Sequence, residues 1–413
     1  MENRIGIYVH VPFCKAKCNY CDFNSYSGRE SLAGSYFDAL FSEMRHRAVG
    51  LEGRPVRSVF IGGGTPTLVD PAYISGLLEL CSKLFKLEPD AEISLESNPG
   101  TLSYESLKSY RAAGVNRLSI GLQAWQDRLL KELGRIHDRG QFEDNFSAAV
   151  EADFQNINVD LIFGLPGQTF EEWAETLEAV TELGKKAASE PGKDVVRELG
   201  EGMAAGPEGD PLTHLSCYSL KIEEGTVFGD RYDAGTLKPA EDELDRRMYR
   251  HAVEYLAGRG FRQYEISNFA RPGRECRHNL IYWKAEEYAG FGAGAHSYLN
   301  GMRFSNTAGI EQYIGAVKRI GENVPSGQSL QLDMQFIDKH EAMAEFMILG
   351  LRLNEGIRAA EFRTRFGEGL EAVYGSKLQK LVKAGLLQRE AEDRFVLTPL
   401  GLDVSNQVFI EFI

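Results

Sequence analysis

Apolar residues gather in short β-rich runs along the chain, and stretches with helical spacing separate them. The first run, Ile5 to Val11, leads into a loop dense in cysteine. Leu32 to Val49 has helical spacing, and Arg57 to Ile61 predicts a second strand ending in Gly62-Gly63-Gly64-Thr65-Pro66-Thr67. A helix is expected from about Asp70-Pro71, where proline suits the first turn. Glu92 to Ser97 predicts a third strand; Ser103 opens the next helix, with Glu105 in its first turn, and Gly114 closes it. Val115 to Leu122 predicts strand four, Phe142 to Asp153 a helix, and Ile157 to Phe163 strand five, ending in Gly164-Leu165-Pro166-Gly167. Thr169 caps the following helix, with Glu171 and Glu172 at its positive end. His214 to Leu220 predicts a sixth strand.

Strands that alternate with helices pair in parallel through right-handed crossovers. No G-x-G-x-x-G with a downstream acid is present, so a barrel, closed or partly open, is expected over residues 1–235. Gly184 to Asp210 is rich in glycine and charge and reads as a disordered surface insertion within about 184–212. Residues 236–335 form a connecting region with a helix from Glu241 to Leu256, a strand from Phe261 to Ile266, and the stretches Arg277-His278-Asn279-Leu280-Ile281-Tyr282-Trp283 and Gly290-Phe291-Gly292-Ala293-Gly294-Ala295-His296. Residues 336–413 read as a winged-helix-like end: helices at Met343 to Leu353, Ala359 to Phe366 and Ala372 to Ala384, a small wing at Phe395 to Thr398, and a closing helix from Val404 to Phe412. Its basic residues are balanced by Glu390, Glu392 and Asp393, so a lid over the barrel or a partner surface is expected there rather than DNA binding.

With 46 Lys and Arg against 60 Asp and Glu, the net charge is −14, which argues against nucleic acid or an anionic membrane surface as the main partner. No apolar run approaches the length of a membrane span, and no signal peptide opens the chain, so a reducing cytoplasm is expected. Cys81, Cys217 and Cys276 read as small buried apolar residues. Cys14, Cys18 and Cys21 are different: they form C-x-x-x-C-x-x-C on one short loop. Thiolates suit iron–sulfur clusters and zinc. A structural zinc site needs four ligands and is closed, so the zinc alternative needs a fourth ligand such as His10. A cubane held by three cysteines leaves one iron open for chemistry.

The unusual residues fall at predicted strand ends, where an alternating barrel builds its active face. The cysteines follow strand one and the glycine run strand two. Glu96 ends strand three, Gln123 follows strand four, Asp160 lies on strand five, and Tyr218 to Glu223 close strand six. Scattered in sequence, they would share one mouth. A buried Glu96 is costly unless paired, Gln123 and Asn98 can both donate and accept, and Arg135 keeps its charge at every relevant pH.

The cysteine loop, flanked by Tyr20 and Phe23, resembles that of the radical S-adenosylmethionine (SAM) superfamily, and Gly62-Gly63-Gly64-Thr65-Pro66 downstream strengthens the likeness. The resemblance implies a (β/α)6 partial barrel, a [4Fe–4S] cluster on Cys14, Cys18 and Cys21, and SAM chelating the fourth iron. Nearly the whole chain, apart from the insertion, is similar to the oxygen-independent coproporphyrinogen III oxidase family. From that family, SAM contacts are implied at Tyr8, Tyr20, Gly63 and Glu96, and contacts with a second SAM at Gly64, Thr65, Gln123, Arg135 and Asp160. Phe23 stands where the oxidase carries a fourth cysteine, and few residues precede strand one. With His278-Asn279-x-x-Tyr282-Trp283, these features resemble the HemW-type haem-chaperone branch. That branch implies haem as ligand, an acceptor protein with the membrane as one candidate place for it, and His278 as a haem ligand; apart from the resemblance, His278 reads as a hydrogen-bonded residue packing a long loop under the barrel. Arg277 is placed to meet a propionate, and His296 and Cys276 are rival ligands. The alternative is the oxidase itself, decarboxylating porphyrinogen propionates.

Overall fold

The computed structural model describes residues 4–189, 209–321 and 330–413. Strands β1 (Ile5–Val11), β2 (Pro55–Gly63), β3 (Lys86–Ser97), β4 (Arg117–Gln123), β5 (Ile157–Phe163) and β6 (Leu212–Ser219) lie side by side in chain order, all parallel. Side chains alternate between the two faces of a strand. One face carries Ile7, Val9, Val59, Ile61, Leu95, Ile120 and Val159, all buried. Helices α1 (Ala33–Ala48), α2 (Pro71–Leu84), α3 (Tyr104–Ala112), α4 (Asp127–Glu132), α5 (Arg139–Glu151) and α6 (Phe170–Ser189) connect these strands. Phe37, Leu77, Leu107, Phe146 and Leu177 from five of them join the same core.

The alternate positions turn inward and are largely polar: Ser58, Glu92, Ser94, Glu96, Ser119, Asn158, Asp160 and His214. They bond across strands. Asn158 Nδ2 donates to Ser119 Oγ (2.7 Å), Ser119 Oγ donates to Asp160 Oδ2 (2.9 Å), and His214 Nδ1 meets Asn158 Oδ1 (2.6 Å). A barrel interior is usually filled by branched apolar residues. This one keeps a polar lining, which suits a polar ligand.

The row stays open. Beside β6, and antiparallel to it, runs β8 (Asn268–Ala270), which also pairs with β7 (Arg262–Gln263). On its other side β1 takes a further parallel neighbour, β9 (Tyr288–Phe291), and an antiparallel meander follows: β10 (His296–Leu299), β11 (Met302–Asn306) and β12 (Gln331–Phe336). The twelve strands run β12-β11-β10-β9-β1-β2-β3-β4-β5-β6-β8-β7. This is the expected partial barrel, extended at both edges.

Several local expectations change. Of the strand expected over Phe261 to Ile266, only Arg262–Gln263 pairs as a strand, and the chain then turns into β8. Gly184 to Ser189 belong to α6, and Leu212 already belongs to β6. The rest of the expected insertion, 190–208, lies outside the described residues. Gly184 has a packing reason to be glycine: a Cβ there would lie 2.7 Å from Asp210 Oδ1 and 2.8 Å from Leu212 Cβ. The motif at 277–283 is a helix rather than a loop. After α7 (Val227–Asp233) and α8 (Asp242–Gly258), α9 (Arg277–Trp283) lies at the amino ends of β1 to β3. There the Glu92 carboxylate accepts from the backbone N–H groups of Arg277 (3.1 Å) and His278 (3.3 Å). A carboxylate meeting free N–H groups at a helix start is favourable.

Beyond α10 (Ile310–Gly321), helices α11 (Lys339–Gly350), α12 (Ala359–Phe366) and α13 (Leu370–Lys383) pack with a three-stranded sheet. Its strands are β13 (Ile357–Arg358), β14 (Leu387–Glu390) and β15 (Arg394–Leu397). This part has its own buried cluster around Phe362, Tyr374 and Leu378. The expected closing helix is split into α14 (Pro399–Asp403), α15 (Ser405–Phe409) and a final 3-10 turn. Of the end expected as a lid over the barrel or a partner surface, the structure shows that its elements pack against α9 and α8. The Arg352 guanidinium lies 4.4 Å from the Trp283 ring centre, Arg365 Nη1 donates to Lys284 O (2.8 Å), and Arg250 bonds Asp403 (2.7 Å).

The chain re-enters the sheet through a buried ion pair, Asp210 with Arg271, whose side chains are 1% and 4% exposed. Arg271 also donates to Leu212 O (3.1 Å). Removing one partner of a buried pair strands the other charge, at a cost of about 3–5 kcal/mol. Asp210→Ala is expected to lose stability of that size in urea denaturation. A loss near the ~1 kcal/mol of a surface pair would show that Arg271 finds other compensation.

Candidate functional site

A cavity of about 880 Å³, open mouth included, lies at the carboxyl ends of the strands. Its wall brings together Cys14, Cys18, Cys21, Tyr20, Gly63, Gly64, Thr65, Glu96, Gln123, Arg135 and Asp160. These are the expected residues except two. Tyr8 is outside the wall, its hydroxyl bonded to His10 Nδ1 (2.9 Å). His278 is at the other end of the lumen.

The glycine run earns its composition position by position. A Cβ on Gly62 would meet the Glu96 carboxylate at 2.6 Å, one on Gly63 the His10 ring at 2.4 Å, and one on Gly64 the Phe13 carbonyl oxygen at 2.7 Å. Gly63 also has φ +115°, a region open chiefly to glycine. Their N–H groups are already used: Gly63 N donates to Glu96 Oε2 (3.0 Å), Gly64 N to Val11 O (2.9 Å) and Thr65 N to Phe13 O (2.7 Å). The last two bonds fasten the cysteine loop to the end of β2. Any contact this turn makes with a ligand is therefore through acceptor oxygens, which suit an ammonium group.

The loop is held from its far side too. Asn24 Nδ2 donates to the carbonyls of Ala293 and Ala308 (both 3.1 Å), and Asn24 O meets His10 Nε2 (2.8 Å). A Cβ on Gly294 would lie 2.4 Å from Asn24 Nδ2. The glycine-rich stretch before His296 is thus a seat for the cysteine loop, a role that only the folded contacts reveal. Asn24 gave no signal in the sequence, and neither did Ser97, Thr101 or Ile136, which also line the cavity.

His10 has both ring nitrogens bonded, to Tyr8 and Asn24, and burial pushes it down to about 4. It is not a fourth zinc ligand. Among the described residues no three His, Cys, Asp or Glu side chains converge on a single-ion site. A mononuclear site needs that convergence, with Zn–S near ~2.3 Å. A multi-iron cluster does not, because each thiolate binds a different iron. All three cysteines are unpaired thiols facing one cavity, and burial raises Cys14 and Cys21, a cost that a bound metal centre offsets. The donor set therefore fits a cluster.

Strain marks the opposite wall. Gln123 has φ +73° and sits where the β4–β5 register shifts between Gly121 and Gln123. Such non-glycine outliers cluster at functional sites. Burial, and then the Asp160 carboxylate, push Glu96 up to about 7, opposed by the Gly63 N–H.

His278 is 1% exposed at the closed end of the lumen. Its Nδ1 meets Ser58 Oγ (2.9 Å) and its Nε2 meets Tyr282 OH (2.9 Å), while Phe60 stacks on the ring at 5.2 Å. Burial, then Arg57 and Arg117, push it down to about 3. In this seat both ring nitrogens are hydrogen-bonded within the chain and neither is turned to the cysteine cavity. The rival Cys276 is also buried, its thiol donating to Glu92 Oε1 (3.5 Å), while His296 is exposed.

A profile of the Radical SAM superfamily matches residues 8–180, and one of the HemN C-terminal domain matches residues 337–404. The chain is 35% identical over 408 residues to the heme chaperone HemW of Bacillus subtilis, covering 98% of each chain. It is 33% identical over 409 residues to the heme chaperone HemW of Lactococcus lactis, covering 98% of this chain and 96% of that one. Among solved structures it matches coproporphyrinogen III oxidase (HemN) from Escherichia coli with TM-score 0.79 and 24% identity, over 100% of this chain and 90% of that one. That likeness concerns the fold.

Cys14→Ala, Cys18→Ala and Cys21→Ala are each expected to abolish the broad iron–sulfur absorbance of anaerobically reconstituted protein. Cys81→Ala and Cys217→Ala should keep it. Tightly bound zinc, in place of iron and sulfide, would sink the cluster reading.

Proposed function

The chain belongs to the HemW family of haem chaperones within the radical SAM superfamily, and on that premise we propose that it binds haem and hands it to an acceptor protein. The observation that carries this reading is the identity to HemW relatives along 98% of the chain. Phe23 supports it: 62% exposed beside the cysteines, it stands where the oxidase family has a further cysteine. No helix among the described residues is long and apolar enough to cross a membrane, and a reducing cytoplasm suits half-buried free thiols and a cluster.

Cys14, Cys18 and Cys21 would hold a [4Fe–4S] cluster. When bound, that cluster supplies one iron free to chelate SAM. Tyr20, Gly63 and Glu96 line the place for SAM, with Glu96 as the anionic partner of its positive groups. Gly64, Thr65, Gln123, Arg135 and Asp160 continue the wall and could take a second SAM.

Haem addition should give a stable Soret band, while coproporphyrinogen III is left intact under reducing conditions with SAM. Decarboxylation by the wild-type protein would favour the oxidase reading instead. His278→Ala should lower thermal stability, since it removes two buried hydrogen bonds and packing, and should leave haem affinity unchanged. A drop in haem affinity with an unchanged melting temperature would return His278 to the haem site.

Glu96 also predicts a pH dependence. With its carboxyl raised to about 7 in the free protein, it is largely protonated at pH 5 and ionised at pH 9. A cationic ligand favours the ionised form. SAM affinity should therefore rise with pH through about 7 and level off above it, with proton release on binding below that value. Calorimetry in buffers of different ionisation enthalpy measures both. Glu96→Gln should flatten the profile.

A further inference from the structure

Arg135 reaches into the cysteine loop from the segment after α4. Its Nη1 donates to Cys18 Sγ at 3.5 Å, and its Nη2 donates to Gly121 O at 2.7 Å and to Asn98 Oδ1. Asn98 Nδ2 donates to Thr65 Oγ1 at 2.8 Å, and Thr65 Oγ1 lies 3.7 Å from Cys14 Sγ. The direction of this chain is settled by its chemistry. A guanidinium can only donate, so Asn98 must present its oxygen to Arg135 and its amide N–H to Thr65. Thr65 accepts from Asn98, which leaves its own proton to point at Cys14. One polar chain thus aims a donor at two of the three cysteine sulfurs.

The charge balance agrees. The groups that act on the buried Arg135 charge are Tyr20 and Cys18 rather than a carboxylate, and its Nε is buried without a partner. A cation enclosed this way is costly unless an anion joins it. The sulfurs are where that anion lies, because three thiolates leave a [4Fe–4S] core with net negative charge.

We propose that Arg135, Asn98 and Thr65 form a donor relay that raises the reduction potential of the cluster. This goes beyond lining a SAM site: Arg135 acts on the cluster through Cys18, as a positioning and tuning residue. The physics is direct. Donors and positive charge near the sulfurs stabilise the more negative, reduced cluster. A reduced cluster held at higher potential is a weaker electron donor.

The inference rests on the cluster reading, and its test separates the two. Parent, Arg135→Gln, Arg135→Lys and Thr65→Val proteins are reconstituted anaerobically, assayed for iron and sulfide, and titrated with dithionite under EPR without SAM. Absence of iron and sulfide from the parent would defeat the cluster reading itself. Given a loaded parent, the midpoint potential should move to more negative values in Arg135→Gln and in Thr65→Val. Arg135→Lys, which keeps the charge without the planar fork, should fall between. Thr65→Val is nearly isosteric and decides the matter if the neutral Arg135 variant loads no cluster. Unchanged potentials in the loaded variants, with weaker SAM binding in Arg135→Gln, would overturn the relay and assign the guanidinium to the SAM carboxylate.

Discussion

The rest of the structure depends on one constraint: the inner face of the parallel sheet is polar, and buried polar groups must find partners. Ser119, Asn158, Asp160 and His214 meet this need among themselves. Glu92 meets it by holding the start of α9, and Ser58 by holding His278. The plug at one end of the lumen and the cavity at the other are two answers to that requirement. At the plugged end the protein itself partners Glu92, Ser58 and both ring nitrogens of His278. At the open end Glu96, Arg135 and Gln123 line the cavity beside the cysteines.

The cysteine loop is placed by backbone contacts that tolerate no side chains. Gly62, Gly63 and Gly64 clear room for Glu96, His10 and Phe13 respectively. The same stretch that forms the ligand wall is therefore the clamp that positions the metal ligands. A substitution there affects both at once, which is why Cys, Arg135 and Glu96 variants separate the functions better than glycine variants do.

Much of the site was legible in the sequence because it follows from local pattern. The six parallel strands show as apolar runs, and their carboxyl ends carry the cysteines, the glycines, Glu96, Gln123 and Asp160 together. What was not legible depends on contacts between distant segments. His278 reads as a haem ligand only through the family resemblance and as a hydrogen-bonded residue under the barrel without it, and the partners of that second reading, Ser58 and Phe60, lie more than 200 residues away. Strand β9 is four residues long with a glycine at its centre, too short and too weak a pattern to announce a seventh parallel strand. The seat of the C-terminal elements at the closed end, through Arg352 on Trp283, likewise has no local signature.

Among the described residues α9 fills one end of the lumen, and the cysteine cavity opens at the other. For guests that enter by that mouth, whatever lies deepest arrives first and departs last, and a later arrival blocks its exit. If SAM occupies the space beside Glu96 and a larger guest then covers the mouth by Phe23 and Ile136, traffic through the site is a stack rather than a corridor. The order of loading then becomes a property of the fold, independent of the relative affinities of the guests.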